Sequence, residues 1–166
     1  MLLLPTGLTG LSYPGFSITV EPPKMIKAVL FDLDGTLLDR HSSLILCVPF
    51  PKMHQTLQRL REWNLSLGLV TNGSEASQIP KIGGLGIQHY FGAIFVSGIE
   101  GVRKPNPEIF LRALNKLTAK PEDSVFVGDN PETDIRAAKV VGMKTVWMKN
   151  PCWPAPDAAD ATISEL

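Results

Sequence analysis

Short apolar runs alternate along the chain with segments in which apolar residues recur every three or four positions. The runs are rich in Val, Ile, Leu and Phe, as strands covered on both faces usually are. Strands that alternate with helices are typical of βαβ units around a parallel sheet. We therefore expect an α/β fold with a doubly wound, Rossmann-like parallel sheet of about five strands and helices on both faces. The predicted strands are Ala28 to Phe31, Leu67 to Val70, Ala93 to Val96, Val125 to Val127 and Thr145 to Met148.

Two kinds of helix are predicted between these strands. A helix over 53–63 places Leu57, Leu60 and Trp63 on one apolar stripe, which we expect to pack against the sheet. The helix expected after Gly73 contains Pro80 and the pair Gly83-Gly84, so a kink or an early end is predicted and its boundaries are left open.

Two further helices have well-marked starts. Each begins with Asn-Pro-Glu, at 106–108 and at 130–132. In this order Asn can cap the helix, Pro suits the first turn and Glu favours the helix dipole. Residues 1–24 contain Pro and Gly without a clear period. We treat 1–24 as an extension outside the core, with disorder as one interpretation, and 25–166 as the core domain.

Composition limits the classes of function. The chain has 166 residues, 44% of them hydrophobic, which is enough for one domain with a substantial core. Because Lys plus Arg and Asp plus Glu both number 16, no net charge draws the chain to nucleic acid or to an anionic membrane. Cys47 and Cys152 are too few to suggest a disulfide framework, so a cytoplasmic setting is expected. Neither a signal peptide nor a membrane span is predicted.

Polar residues with chemical potential lie directly after the predicted strands, where open α/β sheets place their ligand sites. The first strand is followed by Asp32 and Asp34, which we expect to point to the same side, and by Gly35, which permits a sharp turn. Two neighbouring carboxylates are costly unless a cation lies between them or one holds a proton. Both conditions are useful in phosphoryl transfer, although Asp34 and Gly35 can equally form an ordinary turn.

The second strand is followed by Thr71, Asn72 and Gly73. A hydroxyl and a small-residue turn that leads into a helix can hold phosphate oxygens through backbone N–H groups. A capped helix start without a ligand has the same pattern, so this motif is weak when taken alone.

Later strands add one cation and two carboxylates. Lys104 lies in a stiff segment flanked by proline, although a solvated lysine is the simpler interpretation. Asp129 follows the fourth strand, and Asp134 falls in the next helical turn, where it can be merely a favourable charge.

In this order and spacing, the four motifs resemble those of the haloacid dehalogenase superfamily, over a region from Lys27 to Leu166. A set of motifs in order is far more specific than each motif alone. The resemblance implies a doubly wound parallel sheet with an active site at the carboxyl ends of the strands. The motifs are Asp32-Leu33-Asp34-Gly35-Thr36, Thr71-Asn72-Gly73, Lys104-Pro105, and Gly128-Asp129 followed by Asp134.

The resemblance also implies a mechanism for phosphomonoester hydrolysis. Asp32 would attack phosphorus and form an aspartyl phosphate, while Asp34 would act as the acid and then as the base. Mg²⁺ would be held by the Asp32 carboxylate, the Asp34 backbone carbonyl and Asp129, with Asp134 orienting this shell.

The remaining motif residues would bind the substrate, a small phosphorylated metabolite. Thr71 and the N–H groups of Asn72 and Gly73 would hold the transferring oxygens, and Lys104 would offset their charge. Asp34 favours phosphoester hydrolysis, because relatives that cleave carbon–halogen bonds differ at this position.

The sequence departs from the superfamily pattern at the cap, the lid that closes over the site in many members. Only about three dozen residues separate Asp34 from Thr71, so the usual helical cap cannot fit. Three interpretations are possible. The site is naturally open, a neighbour in a homo-oligomer closes it, or the chain has lost a segment and is impaired. The segment Ser42 to Val48 can cover the site edge, contact another subunit or serve as a buried connector. The alternative function is a catalytically silent binding or scaffold protein.

A chain that starts at Met25 is expected to fold as stably as the full chain. Residues 1–24 show no amphipathic period with which they could dock on the core. Thermal denaturation of both chains checks this expectation, and a loss of several degrees would place the extension within the packed structure.

Overall fold

The computed structural model describes residues 25–39 and 48–166. The predictions made for 1–24, for Cys47 and for most of the segment from Ser42 to Val48 lie outside the described residues.

Six parallel strands form the main sheet, in the order β5-β4-β1-β6-β7-β8. All five predicted strands are confirmed, and the sheet has one more. The sixth strand, β8, was missed because it has three residues, none of them fully buried, and so lacks a clear apolar run. The strands are β1 Ala28–Phe31, β4 Ser66–Thr71, β5 Ala93–Val96, β6 Ser124–Gly128, β7 Lys144–Met148 and β8 Ala161–Ile163; a separate antiparallel pair joins β2 Leu38–Asp39 to β3 Val48–Pro49.

Helices cover both faces of the sheet. Two helix starts follow the predicted Asn-Pro-Glu signal, because the side chains of Asn106 and Asn130 accept hydrogen bonds from the N–H groups two or three residues later. The helix after Asn130 opens with a wide π-helical segment, Pro131–Arg136. The α-helices are α1 Met53–Glu62, α2 Glu75–Leu85, α3 Ser97–Glu100, α4 Pro107–Lys116 and α5 Ala137–Val141, with short 3-10 turns at Gln88–Tyr90 and Pro121–Asp123.

Alternate strand residues divide the core into two layers. On one face Val29 and Phe31 pack with residues of α1 and α2. On the other face Ala28 and Leu30 pack with α4 and α5, where the rings of Phe110 and Phe126 meet edge to face at 5.0 Å. Burial of β1 on both faces explains why its four residues are all apolar.

The predicted apolar stripe of α1 is only partly correct. Leu57 is fully buried and Leu60 is partly buried, but Trp63 is 63% exposed. Trp63 follows the last helical residue, and the Arg59 guanidinium lies 5.5 Å from its ring centroid. Met53, one turn before Leu57, takes the buried position instead.

The predicted early end of the helix after Gly73 is wrong. Helix α2 continues to Leu85 with Pro80 inside it, and ends at Gly86 in the left-handed conformation. Pro80 lies on the exposed face, where water can bond the freed carbonyl, while Ile82 and Leu85 are buried in the core. Packing therefore outweighs the low helix propensity of this segment.

Little secondary structure lies between the first strand and α1. The described residues there form a turn at 35–37 and the two-residue strands β2 and β3. No helix occurs among the described residues between Asp34 and Met53, in agreement with the predicted truncation of the cap. Across 25–39 and 48–166, no helix combines the length and the apolar character needed to cross a membrane.

Asp160 attaches the edge strand β8 to its neighbour β7. One carboxylate oxygen accepts from the backbone N–H of Thr145 at 2.7 Å and from its hydroxyl at 3.2 Å. The other pairs with Lys139 at 2.5 Å. These donors lower the pKa of Asp160 despite the opposing effect of burial, so its charged form is favoured in the folded state.

We predict that Asp160→Ala lowers the free energy of unfolding at neutral pH by about 1 kcal/mol, a modest value because the carboxylate is partly exposed. The folded-state pKa lies below the unfolded value. The stabilisation is therefore present above about pH 4 and is lost as the pH falls through the folded pKa. Urea denaturation at pH 7 and pH 3 checks this expectation. Asp157→Ala, at an exposed position before β8, is the control, and an equal effect of both variants would contradict the role of Asp160.

Candidate active site

One cavity of about 520 Å³ lies at the carboxyl edge of the sheet. Parallel strands bring the loops that follow them to the same edge, which explains why residues distant in sequence meet there. All the predicted site residues except Gly73 line this cavity. Its lining consists of Asp32, Asp34, Thr71, Asn72, Arg103, Lys104, Asp129, Asn130, Thr133, Asp134, Asn150, Cys152 and Trp153.

Lys104 lies at the centre of the site and is 2% exposed. Its Nζ is 2.6 Å from Asp32 Oδ1 and 2.7 Å from Asp134 Oδ1. The ring centroid of Phe126 lies 5.2 Å from the same nitrogen. A buried ammonium group is stable only when it is paired, and two carboxylates meet that need here. The simpler interpretation of Lys104, a solvated loop residue, is therefore wrong.

Asp129 completes a group of three carboxylates. Oxygens of Asp32, Asp129 and Asp134 all lie within 4.8 Å of one another. Asn150 donates to Asp129 Oδ2 at 2.6 Å, and the indole N–H of Trp147 donates to the Asp129 backbone carbonyl at 2.7 Å. Asn150 follows β7 at the same edge of the sheet, and its position beyond a strand was the signal that could have identified it.

The charge of this cluster suits a divalent cation. When all four groups are ionised, the three carboxylates and Lys104 carry a formal net charge of −2. Carboxylate oxygens are also the ligands that Mg²⁺ prefers. The donor set of Asp32, Asp129 and Asp134 therefore fits the metal implied by the sequence motifs.

Burial and mutual repulsion raise the pKa values of two of these carboxyl groups. Desolvation raises the pKa of Asp32 to about 8, against the opposing attraction of Lys104. Desolvation and the nearby charge of Asp134 raise the pKa of Asp129 to about 6. Without a further cation, Asp32 and Asp129 thus hold protons more tightly than isolated aspartates do.

Asn72 connects two of the loops. Its side-chain NH₂ donates to the Lys104 carbonyl and its side-chain oxygen accepts from the Lys104 N–H, both at 2.9 Å. The residue before Asn72 is Thr71, whose hydroxyl oxygen is buried and has no hydrogen-bond partner among the described residues. An unpartnered hydroxyl beside the cavity is available to a bound anion.

Gly73, whose N–H is predicted to hold a phosphate oxygen, makes other contacts in the structure. This residue does not line the cavity, and its N–H donates to Ser97 Oγ at 3.0 Å. A Cβ at Gly73 would lie 2.2 Å from the side-chain nitrogen of Gln78. Glycine is therefore needed here to admit the Gln78 side chain.

Asp34 is held by two residues that the sequence analysis missed. Lys81 Nζ lies 2.8 and 2.9 Å from the two carboxylate oxygens, and Gln78 Nε2 donates to Oδ2 at 3.0 Å. Both belong to α2, whose boundaries were uncertain from the sequence. Their i, i+3 spacing could have shown that they share a helix face, but not that the face meets Asp34.

Two glycines allow the carboxylates to approach the chain. Gly35 has φ +87°, and a Cβ there would lie 2.3 Å from Asp129 Oδ2. At Gly128 a Cβ would lie 2.5 Å from the Cβ of Asp134. Any larger residue at either position would displace a carboxylate of the cluster.

Comparison with known families agrees with this geometry. A model described as haloacid dehalogenase-like hydrolase matches residues 43–148. The chain belongs to this family. The resemblance inferred from the four sequence motifs is thus confirmed.

Two relatives of this haloacid dehalogenase-like chain illustrate the similarity. A glyceraldehyde 3-phosphate phosphatase of Methanopyrus kandleri is 46% identical over 98 residues, which cover 59% of this chain and 42% of the relative. A phosphoserine phosphatase of Thermus thermophilus is 35% identical over 119 residues, which cover 70% of this chain and 48% of the relative. The chain spans about half the length of the curated relatives it matches.

A solved structure supports the fold directly. The chain is similar to a haloacid dehalogenase phosphatase of Thermococcus onnurineus, with a TM-score of 0.75 and 26% identity. The superposition covers 84% of this chain and 94% of the other. The doubly wound parallel sheet predicted from the sequence is confirmed.

We predict that stability of the metal-free protein falls between pH 4 and pH 6 because of Asp129. Its folded pKa is about 6, above the unfolded value, so the folded state binds more protons in this window. As the pH rises from 4 to 6, the free energy of unfolding of the wild type should fall by about 2 to 3 kcal/mol more than that of Asp129→Asn. Urea denaturation in EDTA measures the difference.

The same samples with Mg²⁺ provide a second comparison. Because protons and the cation compete for the same carboxylates, Mg²⁺ should raise the melting temperature more at pH 8 than at pH 5. Asp157→Asn serves as the control and should keep the wild-type pH dependence. A wild-type curve parallel to that of Asp129→Asn would contradict the assignment.

Proposed function

We propose that this chain is the core of a Mg²⁺-dependent phosphomonoester hydrolase that acts through an aspartyl phosphate on Asp32. The observation that carries the proposal is the buried cluster of Asp32, Asp129 and Asp134 around Lys104, beside a cavity that can receive a phosphate group. Named phosphatases among the relatives support the same class of reaction.

In the first step, Asp32 attacks the phosphorus of the substrate. The bond between phosphorus and the alcohol oxygen breaks, and an aspartyl phosphate forms. Asp34, which lines the same cavity, donates a proton to the leaving oxygen. An alcohol is a poor leaving group without this proton, so the acid is essential for alkyl substrates.

In the second step, water attacks the phosphorus of the aspartyl phosphate. Asp34, ionised by the first step, takes the proton from this water. The bond between phosphorus and Asp32 breaks, which releases inorganic phosphate and regenerates the free carboxylate. The two carboxyl groups thus have separate roles: Asp32 forms the covalent bond and Asp34 moves the proton.

The surrounding residues bind and neutralise the transferring group. The Thr71 hydroxyl, buried and without a described partner, donates to a phosphoryl oxygen. Lys104 orients Asp32 through the 2.6 Å contact and offsets part of the negative charge. Asp32, Asp129 and Asp134 would hold Mg²⁺, which supplies electrostatic stabilisation of phosphoryl charge when bound.

The relatives indicate the size of the substrate. One acts on glyceraldehyde 3-phosphate and another on phosphoserine, according to their names, and both compounds are phosphomonoesters with three carbons. We infer a small phosphorylated metabolite for this chain as well. Among the described residues no helix closes the cavity, so weak discrimination among such esters is expected.

We predict that phosphate release from small phosphomonoesters requires Mg²⁺ and that Asp32→Asn lowers kcat by at least about a thousandfold. Asn is nearly isosteric with Asp but cannot form the acyl phosphate. A colorimetric phosphate assay on purified protein measures both effects, and beryllium fluoride, a mimic of the aspartyl phosphate, should inhibit the wild type.

Asp123→Asn is the matched control for this substitution. Asp123 pairs with Lys27 at 3.0 Å and does not line the cavity, so its variant should keep normal turnover. Turnover in EDTA would disprove the Mg²⁺ requirement, and an Asp32→Asn variant as active as the wild type would disprove the proposed nucleophile. Binding of Mg²⁺ without any turnover would instead favour the silent binding protein.

A further inference from the structure

The carboxylate of Asp34 is anchored to helix α2, a contact that the mechanism above does not use. Lys81 Nζ reaches both carboxylate oxygens, at 2.8 and 2.9 Å, and Gln78 Nε2 reaches one of them at 3.0 Å. Gln78 and Lys81 are one turn apart on the same face of the helix. Three hydrogen bonds therefore fix a side chain that has two rotatable bonds of its own.

Gln78 is itself held in place and is 3% exposed. Its Nε2 also donates to the Asn72 carbonyl at 3.1 Å, and the absence of a side chain at Gly73 makes room for it. Asn72 in turn binds the backbone of Lys104 with two hydrogen bonds of 2.9 Å. Gln78 thus contacts Asp34 directly and reaches the loop that carries Lys104 through Asn72.

Lys81 differs from the buried Lys104 in its surroundings. The Lys81 side chain is 25% exposed, and its ion-pair partner among the described residues is Asp34. The contacts from α2 therefore limit rotation of the Asp34 side chain. An acid or base must lie within about 3 Å of the proton it transfers, and a misplacement of about 1 Å can reduce the rate roughly a hundredfold.

We propose that Lys81 is a positioning residue for the proton transfers, which holds the Asp34 carboxylate at the cavity with Gln78 as the second point of attachment. The inference rests on the proposed function. It assigns α2 a role in orienting the group that protonates the leaving alcohol and then deprotonates water.

The test compares two substrates that differ in their need for an acid. An alkyl ester such as glycerol phosphate has a poor leaving group that must be protonated, whereas dinitrophenolate leaves without a proton. The value of kcat/KM reports only the steps up to release of the alcohol, so it isolates the first proton transfer. Wild type, Lys81→Met and Lys81→Arg are assayed at saturating Mg²⁺.

For Lys81→Met, kcat/KM with glycerol phosphate should fall about 10- to 100-fold, while kcat/KM with dinitrophenyl phosphate should change by less than about threefold. Since the second step still needs Asp34 as a base, kcat should fall for both esters. Lys81→Arg, which keeps a donor of similar reach, should recover most of the loss. Lys52→Met, at an exposed lysine paired with Glu165 at 3.1 Å, is the control and should behave as wild type.

A double variant separates positioning from a general structural role. If Lys81 acts through Asp34, adding Lys81→Met to Asp34→Asn should lower kcat/KM with glycerol phosphate by less than about twofold. A further loss of tenfold or more would overturn the inference.

The failure of this inference can be distinguished from that of the proposed function. If the wild type is active but Lys81→Met loses kcat/KM equally with the two esters, the positioning role alone is overturned. The same holds if Lys81→Arg does not recover kcat/KM with glycerol phosphate. A wild type without turnover of either ester would overturn the proposed function, and this inference with it.

Discussion

The organisation of the site depends on one buried ion pair network, in which Lys104 Nζ contacts Asp32 at 2.6 Å and Asp134 at 2.7 Å. A buried ammonium group without partners would be strongly destabilising, and two buried carboxylates without a cation would repel each other. Each group therefore makes the burial of the others possible. Asp32 and Lys104 lie in the loops after β1 and α3, and Asp134 lies in the helical segment after β6, so this charge balance also fixes the three segments relative to one another.

The parallel sheet makes this arrangement possible by bringing the loops to one edge. Local details then decide where each group points. The side chain of Asn72 binds the backbone of Lys104, and its backbone carbonyl accepts from Gln78. Asn72 therefore connects the loop that carries Lys104 to helix α2, which carries Lys81. Gly35 and Gly128 leave no side chain where the carboxylates of Asp129 and Asp134 must pass. When all four groups are ionised, a formal charge of −2 remains that the protein itself does not neutralise, which is why oxygen-binding divalent cations suit the site.

The sequence predicted most of the framework and the residues that gather at the cavity, because both follow from local patterns. Buried strands such as Ala28–Phe31 are continuous apolar runs, and Asn130 has the side chain that caps the helix after it. Features that depend on tertiary packing were missed or wrong. Pro80 is tolerated because neighbouring residues of α2 are buried, and Gly73 serves the packing of Gln78. The contact between Lys81 and Asp34 joins residues 47 positions apart, and no local pattern encodes it.

Two lysines thus meet two aspartates of the first motif in different environments. The Lys104 side chain is 2% exposed, so solvent screens its charge little and its attraction for Asp32 and Asp134 is strong. The Lys81 side chain is 25% exposed, so solvent weakens its charge and its main effect is to restrict where the Asp34 carboxylate lies. A lid can orient an acid only when it closes. A contact from a helix of the core needs no lid to close, so α2 can orient Asp34 in an open cavity.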